Sequence, residues 1–429
     1  MINSAPSKRL LQRLAQLEAS ARSPADWGEV AEALASAVAR HPGDARLWTN
    51  WGNALWMADR VKEALAPYQR AVQLAPQEAL VYRGLGNVLT DLQRFEAADR
   101  AYQRSRQLAD DPLTAWNHSQ VLVGLERYEE GFSLSECRWR LPSVRPWRDP
   151  ALSWTPEAPD GEGPLLVWSE QGLGDTLQHL RWLGPLQRRR GPGAAPLVLE
   201  VEAALVELLE TALADLVPQP VVRSKAHAPQ AADNWPGPQV SLLSLPALLG
   251  GGPIPEHASW LDAAHWSRPQ SRRRVGLVWA AGRKLEEPVT AREYWRRSLT
   301  PPALDSLIGG IEALGWQCVL LQFGDDREWA DGWRHQGMED LPATADFAAT
   351  AELIANLDLV ITVDTAMAHL VGAMNREGWV LLPFSAAPRW LRQRPDSPWY
   401  PSLRLFRQRQ PGDWMPVVAE VLAALKGWG

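Results

Sequence analysis

Seven positions of this chain recur 34 residues downstream with matching chemical character: Trp48 and Tyr82, Trp51 and Leu85, Gly52 and Gly86, Leu55 and Leu89, Ala64 and Ala98, Tyr68 and Tyr102, Ala71 and Ser105. A fixed period of that length marks one repeated supersecondary unit, because a single unit cannot bury its apolar face without a neighbour stacked on it. Small residues at 52, 64, 86 and 98 let paired helices approach closely, and the aromatic residues fill the remaining gaps. Pro76 closes the first unit. The first third of the chain is therefore expected to be all-helical.

This order of large, small and helix-ending residues resembles the tetratricopeptide repeat, a helix pair of the same period. A degenerate third unit begins near Leu113, with Trp116 in the equivalent place and Phe132 where a small residue is expected. A divergent upstream pair runs from about Leu10 to His41 and ends at Pro42-Gly43. Three to four units over residues 1–140 would make a short right-handed array. Residues 141–164 hold Pro142, Pro146, Pro150, Pro156, Pro159 and Pro164, the composition of a linker, with Trp147 and Trp154 as docking anchors.

From Leu165 onward the pattern changes to alternating strands and helices. LLVWSE, PLVLEVE, VVRS and QVSLLSL read as strands of one half, and RVGLVWA, QCVLLQF, DLVITVD and GWVLLPF as strands of the other. Helices are expected near Pro302 to Leu314 and Ala348 to Asn356. Alternation at this spacing predicts parallel sheets. A Pro- and Arg-rich stretch from His265 to Arg274 separates the halves. The expectation is two Rossmann-like α/β domains, residues 165–268 and 269–429, facing each other across a cleft.

A chain of 429 residues is long enough for two or three domains, each with its own core. Its net charge of -6, with only short basic clusters at Arg188 to Arg190 and Arg272 to Arg274, argues against a nucleic-acid partner. No signal peptide or transmembrane segment is read, since the apolar run from Ser241 to Ile254 is broken by Pro246 and glycines; a cytoplasmic protein is expected. Cys137 and Cys318 are read as reduced thiols, and the eight histidines show no metal-ligand spacing, so no bound metal is expected. Most of the 23 tryptophans are assigned to packing.

The stretch VWSEQGLGDTLQHLRWL, Val167 to Leu183, places a Gly-x-Gly-Asp turn between an apolar strand and a helix with Leu177, Leu180 and Leu183 on one face. Gly172 and Gly174 are expected to let the backbone turn sharply and approach a ligand, with Asp175 at the helix mouth; the alternative is that Asp175 is only a cap. Such a turn lies at the carboxyl edge of a sheet, where open α/β folds bind ligands. The third glycine of the dinucleotide fingerprint is missing and no Gly-Lys-Ser/Thr phosphate loop occurs, which disfavours an NAD enzyme or a P-loop ATPase.

SEQGLGDTLQHLRW, LDLVITVDTAMAHLVGAM and VLLPFSAAPRW, preceded by the helical repeats, together resemble bacterial tetratricopeptide proteins whose C-terminal region is similar to glycosyltransferase family 9, the heptosyltransferases of the GT-B class. The resemblance implies that Asp175 is the general base. It also implies that Asp364, Thr365, Ala366, Met367 and His369 border the donor site. Free N–H groups at Thr365 to Met367 would hold the diphosphate and Asp364 the sugar hydroxyls; alternatively Asp364 caps the helix and His369 is packed.

Cations must help the leaving diphosphate, and Arg283 and Lys284, after the strand that ends at Trp279, itself a donor-site candidate, are the first candidates. Arg297 and Ser298, an Arg-Ser pair usual in the family, are the second; each cation has a surface-charge alternative. The intervening loop AAGRKLEEPVTAREYWRRSL lacks the family's common Asn, His and Asp. Gln322 and Phe323 are candidates for the base or ribose, or simply for a turn, and Arg389 and Trp390 stand where they can line the cleft or, for the tryptophan, pack.

The implied function is a metal-independent, inverting transfer of a sugar from a nucleotide-sugar donor to a hydroxyl acceptor, with no cofactor beyond that substrate. The acceptor would be a protein, peptide or glycan recruited by the repeats. Asn53 and Asn87, one repeat apart, are candidates to present stacked amides to an extended backbone. The alternative is a non-catalytic scaffold, or a nucleotide-sugar-binding protein with a degenerate transferase fold.

Overall fold

The computed structural model describes residues 6–149, 152–157, 163–191, 193–214, 216–226, 235–252, 254, 273–335, 338–342 and 346–428. The stretch from His265 to Arg274, where the sequence places a domain boundary, lies largely outside these residues. The first part is a run of helices: α1 (Lys8–Ser20), α2 (Pro24–Arg40), α3 (Ala45–Met57), α4 (Val61–Leu74), α5 (Ala79–Asp91), α6 (Phe95–Leu108), α7 (Pro112–Gly124) and α8 (Tyr128–Ser135). Local chemistry sets their ends. Ser23 and Asp26 form a reciprocal capping box ahead of α2 with Pro24 in its first turn, and Asp44 and Asp111 accept N–H groups at the starts of α3 and α7.

The repeat positions have the role expected of small residues. A Cβ on Gly52 would stand 2.7 Å from the Tyr68 ring, and one on Gly86 2.6 Å from the Tyr102 ring. Both tyrosines are buried to about 1% exposure, so neither ring can swing into solvent to make room.

The α/β part follows as β1 (Leu165–Trp168), α9 (Leu173–His179), α10 (Leu183–Arg190), β2 (Leu197–Val201), α11 (Val206–Ala212), β3 (Val221–Ser224), β4 (Gln239–Ser241) and the short α12 (Leu245–Leu248). It continues with β5 (Arg274–Val278), α13 (Pro288–Arg297), α14 (Pro301–Ala313), β6 (Gln317–Leu320), the short α15 (Asp331–Arg334), β7 (Glu339–Asp340), α16 (Phe347–Ala355), β8 (Leu359–Val363), α17 (Ala366–Ala373), β9 (Gly378–Leu382), β10 (Leu403–Arg407) and α18 (Met415–Lys426). Among the described residues, one sheet has the order β3-β2-β1-β4 and the other β10-β9-β8-β5-β6-β7. Every strand pair is parallel.

β1, β2, β8 and β9 are buried along their whole length, which is why they read as largely apolar runs; the exception in β2, Glu200, is paired with Arg148. Two strands escaped the sequence reading. β7 has only two residues, and β10, LRLFR, carries two arginines on the outermost strand of its sheet.

One buried apolar cluster runs from Val123 and Phe132 in the helical region through Val167 and Leu177 to Val360, Leu370, Trp390 and Trp399. The segment joining helices to sheets is drawn into the fold. Trp154 is buried, its backbone N–H donates to the Gln239 carbonyl at 2.6 Å, and Ser153 bridges to Gln239 at the start of β4. Trp147 lies under the Lys225 ammonium, 4.5 Å from its ring centre. Among the described residues no helix is long and apolar enough to cross a membrane.

Candidate active site

The carboxyl ends of β1 and β8 each lead straight into a helix, and those helices, α9 and α17, meet face to face. Glu202 fixes the first turn: its carboxylate accepts from Ser169 at 3.0 Å, Thr176 at 3.2 Å and the Lys225 ammonium at 2.6 Å. Gly172 is the N-cap of α9 with φ of -75°, and Gly174 is not among the positive-φ glycines, so neither adopts a left-handed conformation. Gly174 serves close packing instead. A Cβ there would lie 2.9 Å from His369 Cδ2 and 3.3 Å from Ala366 Cα.

Asp175, in the first turn of α9, accepts from Arg389 Nη1 at 3.1 Å, with a quarter of its side chain exposed. Burial alone would raise its pKa. Arg389, His179 and His369 outweigh that and hold the carboxyl below its ordinary value. His179 Nδ1 lies 2.8 Å from the Asp175 carbonyl, which can only accept, so that nitrogen carries the proton. Burial, with Arg389 nearby, pushes His369 down to about 3, a neutral imidazole stacked on Trp390 and 2.9 Å from the Tyr400 hydroxyl. His369 is thus packed as well as bordering the site.

Two solvent-open cavities meet at Asp175. The first, about 740 Å³, is bounded by Gly174, Arg389, Glu293, Arg296, Arg297 and the Asp364 to Ala366 corner with His369. Thr365, not Asp364, caps α17, accepting from Met367 N–H at 3.2 Å. Met367 N–H is therefore not free for an anion, and Asp364, whose backbone carbonyl accepts from Arg297, keeps its carboxylate for the cavity. Arg389 is paired with Asp175, and Arg296 with Asp91 and Glu293. Arg297 bonds to two backbone carbonyls, and its nearest carboxylate oxygen, on Glu293, stands 3.9 Å away. It is the cation in this wall with charge to offer a ligand.

The second cavity, about 560 Å³, is walled on one side by Gln171, Asp175, Gln178, His179, Arg389 and Trp399. Its other side comes from the helical region, with Trp116 and Gln120 on α7 and Phe132 on α8. The sequence did not point to these helical residues as part of a reaction site; their spacing alone reads as repeat packing.

Other predicted residues lie elsewhere. Arg283 and Lys284 are exposed on the loop after β5 and line neither cavity, reversing the expected order of the cation candidates. Trp279 is 1% exposed, with its indole N–H on the Asp326 carbonyl. Gln322 accepts from the Trp279 and Ala280 N–H groups and donates to the Ala280 and Phe323 carbonyls, so its polar atoms are taken up by backbone just beyond the ends of β5 and β6. Ser298 accepts from Ala281 N–H, and Phe323 stacks on Phe347.

Asn53 is exposed and Asn87 half-buried, and in both the amide oxygen is engaged within the helical region. Asn53 accepts from the Tyr68 hydroxyl, and Asn87 accepts from Tyr102 at 2.7 Å and from Asn117 at 3.0 Å. Neither asparagine lines the two cavities, and the amide oxygen of each accepts from a buried phenol. Among the described residues no group of three or more His, Cys, Asp or Glu side chains is arranged to hold a metal ion.

No protein-family model matches the chain. It is similar to Protein FlbA of Caulobacter vibrioides, 26% identical over 338 residues, which cover 71% of this chain and 54% of the relative. The chain thus spans about half the length of that curated relative. Among solved structures it is similar to the Escherichia coli heptosyltransferase WaaC with ADP, at 15% identity over 62% of this chain and 99% of the other, with a TM-score of 0.39. It is also similar to a Thermobaculum terrenum O-GlcNAc transferase mutant, at 13% identity over 99% of this chain and 93% of the other, with a TM-score of 0.32. Likenesses at these scores carry no argument about function, which must rest on the residues of this chain.

Proposed function

We propose that the protein is an inverting glycosyltransferase that moves a sugar from a nucleotide-sugar donor to a hydroxyl acceptor, with Asp175 as general base. The observation that carries this reading is the position of Asp175, on the shared edge of two cavities built from different parts of the chain. On one side stand Arg297, the Asp364 carboxylate and the amino end of α17, groups suited to a diphosphate and a sugar. On the other stand Trp116, Phe132 and Trp399, apolar faces with Gln120 and Gln178 between them, suited to an acceptor.

The chemistry is a single displacement. The acceptor oxygen forms a bond to the anomeric carbon while the bond from that carbon to the diphosphate oxygen breaks and its electron pair leaves with the phosphate. Asp175 takes the acceptor's proton. One attack from the face opposite the leaving group inverts the anomeric centre. Arg389 keeps the carboxylate ionised and ready, and Arg297 meets the negative charge growing on the diphosphate, so the proposed step needs no metal. The acceptor, a protein, peptide or glycan, is proposed to enter past α7 and α8.

The test is incubation with a panel of nucleotide sugars and cell extract as acceptor source. Release of nucleoside diphosphate, undiminished by chelator, is expected. A protein that neither binds nor consumes any donor is a scaffold, and the proposal fails.

A further inference from the structure

The helix that carries Arg296 and Arg297 to the donor-side cavity is held from behind by the helical region. Asp91, the last residue of α5, is 8% exposed and uses both carboxylate oxygens: Oδ1 accepts from Arg296 Nη1 at 3.1 Å, and Oδ2 from Arg292 Nη2 at 2.7 Å and Trp56 Nε1 at 2.7 Å. Arg292, 2% exposed, also donates to the Trp56 carbonyl at 2.7 Å and to Asp59 at 3.0 Å, with its guanidinium 4.3 Å from the Trp56 ring centre. Arg292 and Arg296 lie one turn apart on α13, so one carboxylate grips two rungs of the same helix face. The next residue, Arg297, reaches the Asp364 carbonyl across the cavity.

We infer that Asp91 is a positioning residue of the donor-side cavity, and that the helical region is a built-in support behind one wall of that site rather than a separable recruiting module. The inference rests on the functional reading above. Asp91 does not line the cavity; it reaches it through Arg296, which does. It sets the rotation and depth of α13, and with them the place of the Arg297 guanidinium opposite Asp364. Burial makes the setting firm, because a guanidinium with 2% exposure has no water to replace a lost carboxylate.

Asp91→Asn in the full chain is the direct test, since it keeps the shape and removes the charge that both arginines share. Hydrogen exchange of the amides of α13 after Pro288 should speed up at least tenfold relative to α14. Binding of ADP, UDP, GDP or CDP, whichever the wild type binds, should weaken at least tenfold, while the matching nucleoside stays within twofold. A merely structural role would lower the melting temperature and weaken both ligands alike. Should Asp91→Asn fail to fold, Asp59→Asn, at a more exposed position of the same cluster, should show the same pattern more weakly. Unchanged exchange over 288–297 in the folded variant overturns the inference, whatever the nucleotides do. If the wild type binds no nucleoside diphosphate, the functional reading fails on its own, and the exchange experiment still decides whether Asp91 holds α13.

Discussion

Gly174 on α9 and His369 on α17 follow strands of different sheets, yet a methyl group added to Gly174 would lie 2.9 Å from the His369 ring. The ring cannot retreat: Trp390 stacks on it and Tyr400 sits against its edge. Gly174→Ala should therefore push α9 and α17 apart. We expect a stability loss of about 1–3 kcal/mol by denaturant titration, the usual range for overpacking. Transfer should fall by more than that loss explains, since the Asp175 and Asp364 carboxylates separate. A variant with wild-type stability and turnover would show that this contact does not set the spacing of the two motifs.

The pairing of Asp175 with Arg389 makes a prediction about pH. Arg389 stabilises the ionised carboxyl, and the reaction needs that form, so activity should be lost only as pH falls below the ordinary carboxyl range. In Arg389→Gln the carboxyl regains the upward push of burial, and the acid limb of the kcat/KM profile should move to higher pH. An acid limb in the same place would separate Asp175 from the titration.

Arg297→Ala should weaken nucleoside diphosphate binding roughly 10- to 100-fold and nucleoside binding far less, the loss typical of one charge-assisted contact. Lys284→Ala should do neither, because that side chain is exposed outside the cavity. Calorimetric titration of both variants decides; equal effects would reinstate the loop after β5 as a phosphate contact.

Much of this site was legible where it is local. All strands but β7 and β10 are legible in the sequence, and Gly172 to Asp175 and Asp364 to His369 stand out because each follows a strand and enters a helix within a few residues. What was not legible is long-range. Asp91 and Arg292 are 201 positions apart, and Trp116 lies far from Asp175 in the chain, so no spacing rule connects them. Gln322 and Trp279 misled for the opposite reason: they sit at strand ends, where ligands bind, but their polar atoms are already used by neighbouring backbone. Asn53 and Asn87 keep the repeat period because each satisfies the tyrosine one helix on.

That last point separates two substitutions in the helical region. Trp116→Ala with Gln120→Ala should raise the acceptor KM roughly tenfold, about 1.4 kcal/mol, and leave donor hydrolysis near wild type. Asn53→Ala with Asn87→Ala should instead cost stability, about 1 kcal/mol for each buried hydroxyl left without its acceptor, and leave the acceptor KM alone. The opposite assignment of effects would return acceptor recognition to the amides.

The central claim is that Asp175 takes the acceptor's proton, and Asp175→Asn tests it most directly. The carboxamide keeps the size and can still meet Arg389 through its oxygen, but it cannot act as a base at neutral pH. With the preferred nucleotide sugar and acceptor, turnover should drop by about 10²- to 10⁴-fold, while nucleoside diphosphate binding stays within a few-fold and the fold persists. Turnover within a few-fold of wild type in this variant would contradict the account.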